Sequence, residues 1–467
     1  MRLYDYYALS QFHFSGPDIM IGLLVIGIIL VYGLLKAVRK RETEPLYKYY
    51  FQGFVLKQVG AVTFCLVYGL LYSGGGDTVA YWWGAEALKN LFYSNTEFYL
   101  AEMFNLTSNE GFFNHYDGET GWPPTWLYRS NRHFFLCRII SVISIFIPGS
   151  FLGVSSFIGL ISYNGMWKLF QTVTHHFPDM TKKLRWAILF LPSTLFWCSG
   201  IMKDTIVLTG ICWIVHETDL FLRPGLKKKP IRMILRILIW GWLILSVKPY
   251  IIIALAPAWL LWMNYSALSK IKSTLLKYYL IPTFLTLSTL IIFQIYSAST
   301  FESEYSPDNM VDQAVIIRND FSTNITYGTN RYKAAEVDNS GGGMLRVIPE
   351  AFMSGLLRPF IWEARTPFVL ISAVENLFIM IFLALAIYRL GIKGFFKFIR
   401  SHPFILYSFV FSMLLAVIVG FTTILFGTLI RFRTPFLPFL VCFVMLAVGK
   451  VKSLKVVGGY SSIRPND

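Results

Sequence analysis

Charge is scarce in this chain. Asp, Glu, Lys and Arg make up 15% of its 467 residues while 55% are hydrophobic; a soluble globular protein carries about 25% charged residues. The scarcity is also uneven, because the polar residues cluster and leave long stretches almost free of charge. Those stretches reach the roughly 18 to 25 residues needed to cross a bilayer. Hydrocarbon offers the backbone no water to bond to, so such runs become helices. Cysteine is nearly absent: Cys65, Cys137, Cys198, Cys212 and Cys442 sit in or beside apolar segments and form no CxxC pair, which excludes a disulfide framework or a zinc site read from spacing. There is no GxxxxGK[ST] phosphate loop, no GxGxxG fingerprint and no HExxH motif. The opening MRLYDYYALSQFHFSGPD lacks a basic region followed by a short apolar core, so it does not read as a signal peptide.

What is plentiful is positive charge, a net +16. In a soluble protein that would suggest nucleic acid. Here Lys and Arg concentrate in short loops between apolar runs, the positive-inside pattern, and no nucleic-acid partner is expected. The runs lie near 19–36, 52–72, 150–170, 186–199, 205–222, 234–247, 250–265, 279–297, 367–388, 403–425 and 435–449. The expected fold is all-α, a polytopic transmembrane bundle of about 11 spans forming a single membrane domain over 1–467. Lys36 to Lys48, His175 to Arg185, Arg223 to Arg236, Lys270 to Lys277, Arg389 to Arg400 and Lys450 to Lys455 mark cytoplasmic loops. The N-terminus is then outside and the C-terminus cytoplasmic.

Two large external regions follow. Residues 77–132 are rich in Trp, Tyr and Phe, rings that favour the membrane interface, and read as interfacial helices plus the loop NEGFFNHYDGETGWPP. Residues 133–148 are apolar but short, and read as interfacial or re-entrant. Residues 298–365 read as a second external loop or cap. Asn105-Leu106-Thr107 and Asn324-Ile325-Thr326 match the glycosylation sequon, a frequent match.

The topology rests on charge bias alone, and the chemically loaded motifs then fall on its outer face: Gly-Gly-Gly-Asp at 74–77, CSGIMKD at 198–204, VKPY at 247–250, LLRPFIWEA at 356–364 and GTLIRFRTP at 427–435. Asp77 can act as general base toward a hydroxyl or hold a divalent metal ion; the bland alternative is a helix cap for the helix starting at Thr78. Lys203, Asp204 and Lys248 interrupt apolar segments, where an ionisable group is costly unless paired or used. They are candidates to bind substrate phosphate. The alternatives are a local Lys203–Asp204 arrangement with Asp204 capping the next helix, and Lys248 snorkelling to the interface. Arg358, Glu363, Arg365, Arg431 and Arg433 sit just before re-entering spans. Arginine's planar fork suits phosphate oxygens, and the alternative is anchoring or an internal pair with Glu363 or Glu375. Asp77, Lys203, Lys248, Arg358, Arg431 and Arg433 are expected to converge on one outward cavity.

Gly76-Asp77-Thr78 followed by Tyr81 and the aromatic stretch to about 132 resembles the first external loop of the GT-C superfamily of membrane glycosyltransferases. FLPSTLFWCSGIMKDTIVL, residues 190–208, is similar to a segment of bacterial multi-pass proteins often placed near these transferases, and RFRTP at 431–435 resembles O-antigen polymerases. In this chain the acid follows the second span rather than the first, and Asp77 has no acidic neighbour. The resemblance implies a bacterial inner-membrane enzyme that takes a sugar from a polyprenyl-phosphate-linked donor at the outer face, in contact with membrane lipid, with Asp77 catalytic and the cations holding the leaving phosphate. An O-antigen or exopolysaccharide polymerase, a transporter or flippase of a charged lipid or glycan, and a structural subunit of an envelope assembly are the rival readings.

Overall fold

The computed structural model describes residues 12–72, 76–106, 111–223, 229–265, 307–323, 330–332 and 341–449, together with 279, 283 and 286. The helices in chain order are α1 (Gly16–Arg41), α2 (Tyr50–Leu66), α3 (Gly76–Ser94), α4 (Thr96–Met103), α5 (Gly111–Asn114), α6 (Thr125–Tyr128), α7 (Asn131–Phe146), α8 (Phe151–His176), α9 (Thr181–Ile188), α10 (Pro192–Trp197), α11 (Lys203–Leu222), α12 (Pro230–Val247), α13 (Tyr250–Met263), α14 (Pro307–Thr323), α15 (Gly341–Leu357), α16 (Pro367–Ile399), α17 (Pro403–Thr422), α18 (Phe426–Arg433) and α19 (Leu437–Val448). Among the described residues the only β pairing is an isolated bridge between Arg331 and Leu425.

This is an integral membrane protein. Among the described residues six helical stretches are long and apolar enough to cross a bilayer, or eight if each of two bent pairs counts as one span. The faces of α1 and α12 are bare yet apolar: Leu24 is 65% exposed and Leu238 61%. Water would penalise such surfaces heavily, whereas lipid does not. Among the described residues the expected count of about eleven is not confirmed. Residues 186–199 form no span-length helix, because the chain leaves helical geometry after Ile188 and restarts at Pro192 as the short α10. Residues 250–265 yield only the 14-residue α13, and 279–297 lies mostly outside the described residues. The short apolar stretch at 133–148 is the helix α7, which meets α8 at 109°; α18 and α19 meet at 68°. Residues Ser73 to Gly75, both sequons in part or whole, Lys227, Lys228, Lys270 to Lys277, the C-terminal lysines and much of 298–340 lie outside the described residues.

The chain divides into two compact units. The first comprises Met1–Trp167, Thr194–Gly210 and Trp242–Lys248. Here α1 begins with the Ser15 hydroxyl accepting the Asp18 amide and ends on Arg39, Lys40 and Arg41, acid first and base last as the helix dipole prefers. Asp18 is buried and accepts from the Ser150 hydroxyl at 3.0 Å and the Leu152 amide at 3.3 Å, which ties the starts of α1 and α8 together. The aromatic segment after residue 76 is less superficial than its composition suggests. Helix α3 buries Val79, Tyr81, Trp82, Ala85 and Leu88 in a core with Cys137, Ile140 and Phe151. Gly84 lets α7 approach, for a Cβ there would meet the Cys137 sulfur at 2.7 Å.

The second unit comprises Lys168–Ser193, Ile211–Gly241 and Pro249–Asp467. Helices α15 and α17 cross with Gly355 against the Ala416 backbone and Gly420 against the Ala351 backbone, the close approach that small residues permit inside membranes. Thr172 pairs with His216 and His176 with Asp219, so the ends of α8 and α11 run side by side in the same direction.

Candidate functional site

In the first unit, Asp77 lies in the first turn of α3 and is half-buried. The preceding Gly76 has φ +57°, a left-handed conformation that favours glycine. The helix is assigned from Gly76 rather than Thr78, so Asp77 stands inside the first turn and not ahead of it, where the dipole still favours its charge. Tyr81 follows four residues later, on the same face of the helix. The Lys203 ammonium lies 5.9 Å from the centre of the Tyr81 ring. The Tyr81 hydroxyl is 3.4 Å from Nδ1 of His133, at the start of α7, and the His133 ring meets Trp126 edge-on at 5.6 Å. A phenol, an imidazole and an ammonium thus meet at Tyr81, one helical turn after the Asp77 carboxylate.

Asp204 and Lys248 behave differently from the expectation. The Asp204 carboxylate accepts from the Lys248 ammonium at 2.6 Å, and the two side chains are 1% and 7% exposed. Lys248 does not snorkel outward. Asp204 sits in the first turn of α11 and Lys248 just past the last turn of α12, so each charge is also favoured by its helix end. Such a pair locks two helix ends together and leaves Lys248 engaged.

In the second unit two of the arginines are engaged by neighbouring groups of the protein. Arg433 is 1% exposed; its guanidinium donates to the carbonyl of Leu356 at 2.8 Å and to that of Arg358. These carbonyls close the C-terminus of α15, where helical partners run out. Arg358 pairs with Glu363 at 3.0 Å and lies 4.2 Å from the centre of the Tyr332 ring, so the internal-pair alternative holds for these two. Arg431 is half-buried beside Phe432, and Arg365 is exposed. Glu375 accepts from the Ser193 hydroxyl. Of the six residues expected to converge, Asp77, Lys203 and Lys248 belong to the first unit and Arg358, Arg431 and Arg433 to the second.

Two features escaped the sequence reading. Lys57, within the apolar run of α2, is fully buried and its ammonium donates to the Thr194 carbonyl at 3.0 Å, with the neighbouring Gln58 amide donating to the Ser156 carbonyl at 3.3 Å. A charge inside an apolar run was the available signal. Glu102 is also buried; it accepts from the Tyr128 hydroxyl at 2.8 Å and lies 3.0 Å from a ring nitrogen of His115. No periodicity announces that cluster. Among the described residues no group of three or more His, Cys, Asp or Glu side chains is placed to hold a metal ion.

Comparison with known proteins finds no matching family model, no matching curated protein and no matching solved structure.

Proposed function

We propose that the chain is a membrane glycosyltransferase that takes a sugar from a polyprenyl-phosphate-linked donor on the extracytoplasmic face of a bacterial inner membrane. The observation that carries the reading is the end of α3: Asp77 one turn before Tyr81, with the Lys203 ammonium against the Tyr81 ring and His133 beside its hydroxyl. In the reaction the acceptor oxygen attacks the anomeric carbon, and the bond from that carbon to the phosphate oxygen breaks. Asp77 receives the acceptor proton, and the phosphate leaves with the electron pair. Lys203 stands where a cation lowers the energy of that developing anion. Lys248 acts through Asp204, the residue after Lys203 in the first turn of α11, and so positions rather than touches the substrate. An N-terminus outside and a C-terminus in the cytoplasm belong to the same proposal, since they put Asp77 on the side where lipid-linked donors are consumed.

The test is transfer from a radiolabelled polyprenyl-phosphate sugar by purified protein in lipid. Asp77→Asn is expected to lower turnover by roughly a hundredfold or more, as loss of a general base does, with unchanged chromatographic behaviour. Turnover at the wild-type rate by a folded Asp77→Asn protein rejects Asp77 as the base.

One observation favours a second reading. The buried Lys57 bonds to a carbonyl of the interrupted α9–α10 segment, and broken helices beside intramembrane charges are how transporters build their sites. Movement of a lipid-linked glycan across vesicles, abolished by Lys57→Met and indifferent to Asp77→Asn, would establish that alternative.

A further inference from the structure

Helix α16 is interrupted at Gly391, whose φ of 66° and ψ of 166° are not helical. The turn re-aims the segment Ile392 to Ile399, and that segment is amphipathic in an unusual way. One side is packed: Phe395 lies 5.8 Å from Phe443 and 6.4 Å from Phe409, and Phe398 lies 5.8 Å from Phe443. The other side mixes bare apolar rings and chains with cations. Ile392 is 71% exposed and Phe396 52%, and exposed Lys393 and Lys397 stand beside them.

Lys393, Lys397 and Arg400 follow at spacings of four and three residues, so they share a helical face. With Phe396 and Ser401 they line an open recess of about 360 Å³, a volume within the range of small-molecule sites. The corner is held in place: the Tyr265 hydroxyl donates to the Arg400 carbonyl at 2.9 Å, and the Ser401 hydroxyl to the Phe398 carbonyl at 2.6 Å. Among the described residues none of the three cations forms an ion pair. Three like charges held within two turns repel one another and are stable together only with counter-charge nearby. The bare apolar side chains of Ile392 and Phe396 beside them are better covered by hydrocarbon than by water.

We propose that this recess binds the phosphodiester headgroup of an anionic phospholipid, with Lys393, Lys397 and Arg400 around the phosphate and Ile392 and Phe396 against the first acyl carbons. A basic, partly apolar helix at a membrane boundary recognises anionic lipid by just this combination. The site is independent of the catalytic proposal and shares no residue with it.

The experiment is native mass spectrometry of the full chain released from nanodiscs of phosphatidylcholine mixed with phosphatidylglycerol. Wild-type protein is expected to retain phosphatidylglycerol over phosphatidylcholine. The K393Q/K397Q/R400Q variant is expected to lose that preference by about tenfold or more, while K393R/K397R keeps it. Raising salt on wild-type protein, which needs no variant to fold, should strip the retained lipid. Equal retention of the two lipids by wild type overturns the proposal. So does displacement of the bound lipid by inorganic phosphate at matched ionic strength, because the recess would then be a free-anion site.

Discussion

At the residue scale the ion pair between Asp204 and Lys248 is the most consequential feature. Two charges removed from water attract strongly only if both are present, and removal of one leaves the other stranded. Lys248→Met is therefore expected to destabilise the protein by about 3 to 5 kcal/mol, whereas Lys248→Met combined with Asp204→Leu recovers much of the loss. Heating in detergent followed by size-exclusion chromatography reads the difference. A double variant as unstable as the single one would show that the pair is not what holds these helix ends. The pairing also changes the meaning of the sequence. Lys203 and Lys248 look equivalent as isolated cations interrupting apolar segments, but one faces the Tyr81 ring and the other is engaged by a buried carboxylate. No local pattern distinguishes them, because the partner of Lys248 lies 44 residues away.

At the element scale, helix ends carry much of the organisation. His402 caps α17: its Nδ1 accepts the Phe404 amide at 3.2 Å, which requires a neutral ring nitrogen. Burial pushes its pKa down to about 3, aided by the nearby His176 and opposed by Asp219. An imidazole whose folded pKa lies below its ordinary 6.5 disfavours the fold once the unfolded chain can take up a proton. The stabilising cap is fully present above about pH 6.5 and is lost as pH falls from there toward 3, at up to about 1.4 kcal/mol per pH unit. His402→Asn keeps an acceptor at the cap but cannot titrate, so its thermal stability should decline less between pH 6.5 and 4. Parallel decline of the two proteins would place the acid sensitivity elsewhere. Arg433 shows the same principle at the other kind of terminus, where its guanidinium completes the bonds of the last α15 carbonyls.

At the scale of the whole molecule, the charge asymmetry read from the loops has a structural counterpart within the second unit. His176, Asp219 and Arg223 at the ends of α8 and α11 lie with His402 at the start of α17. The Arg389 guanidinium donates to the Val448 carbonyl at the end of α19 at 3.0 Å. Within the second unit the ends of α8 and α11 thus meet the start of α17, and α16 meets the end of α19. Single cysteines at 112–118 are expected to react with an impermeant maleimide in intact cells, and cysteines at 393 or 397 only after permeabilisation. Reaction at 393 in intact cells would invert the proposed orientation.

Helicity and membrane insertion were determined by sequence alone, because they depend on quantities that add along the chain: apolar length and the placement of Lys and Arg between apolar runs. The place of Asp77 at the start of a helix was legible for a similar local reason, a carboxylate directly after glycines at the end of an apolar run. The span count was not, since the break before α10 and the bends between α7 and α8 and between α18 and α19 depend on how neighbouring segments pack and not on mean hydropathy. The roles of the ionisable residues were decided only in the tertiary structure. Asp204 finds Lys248, Arg433 finds the carbonyls of α15, and Lys57 finds Thr194. In a low-dielectric interior a charge is defined by its nearest partner, and that partner comes from a distant part of the chain.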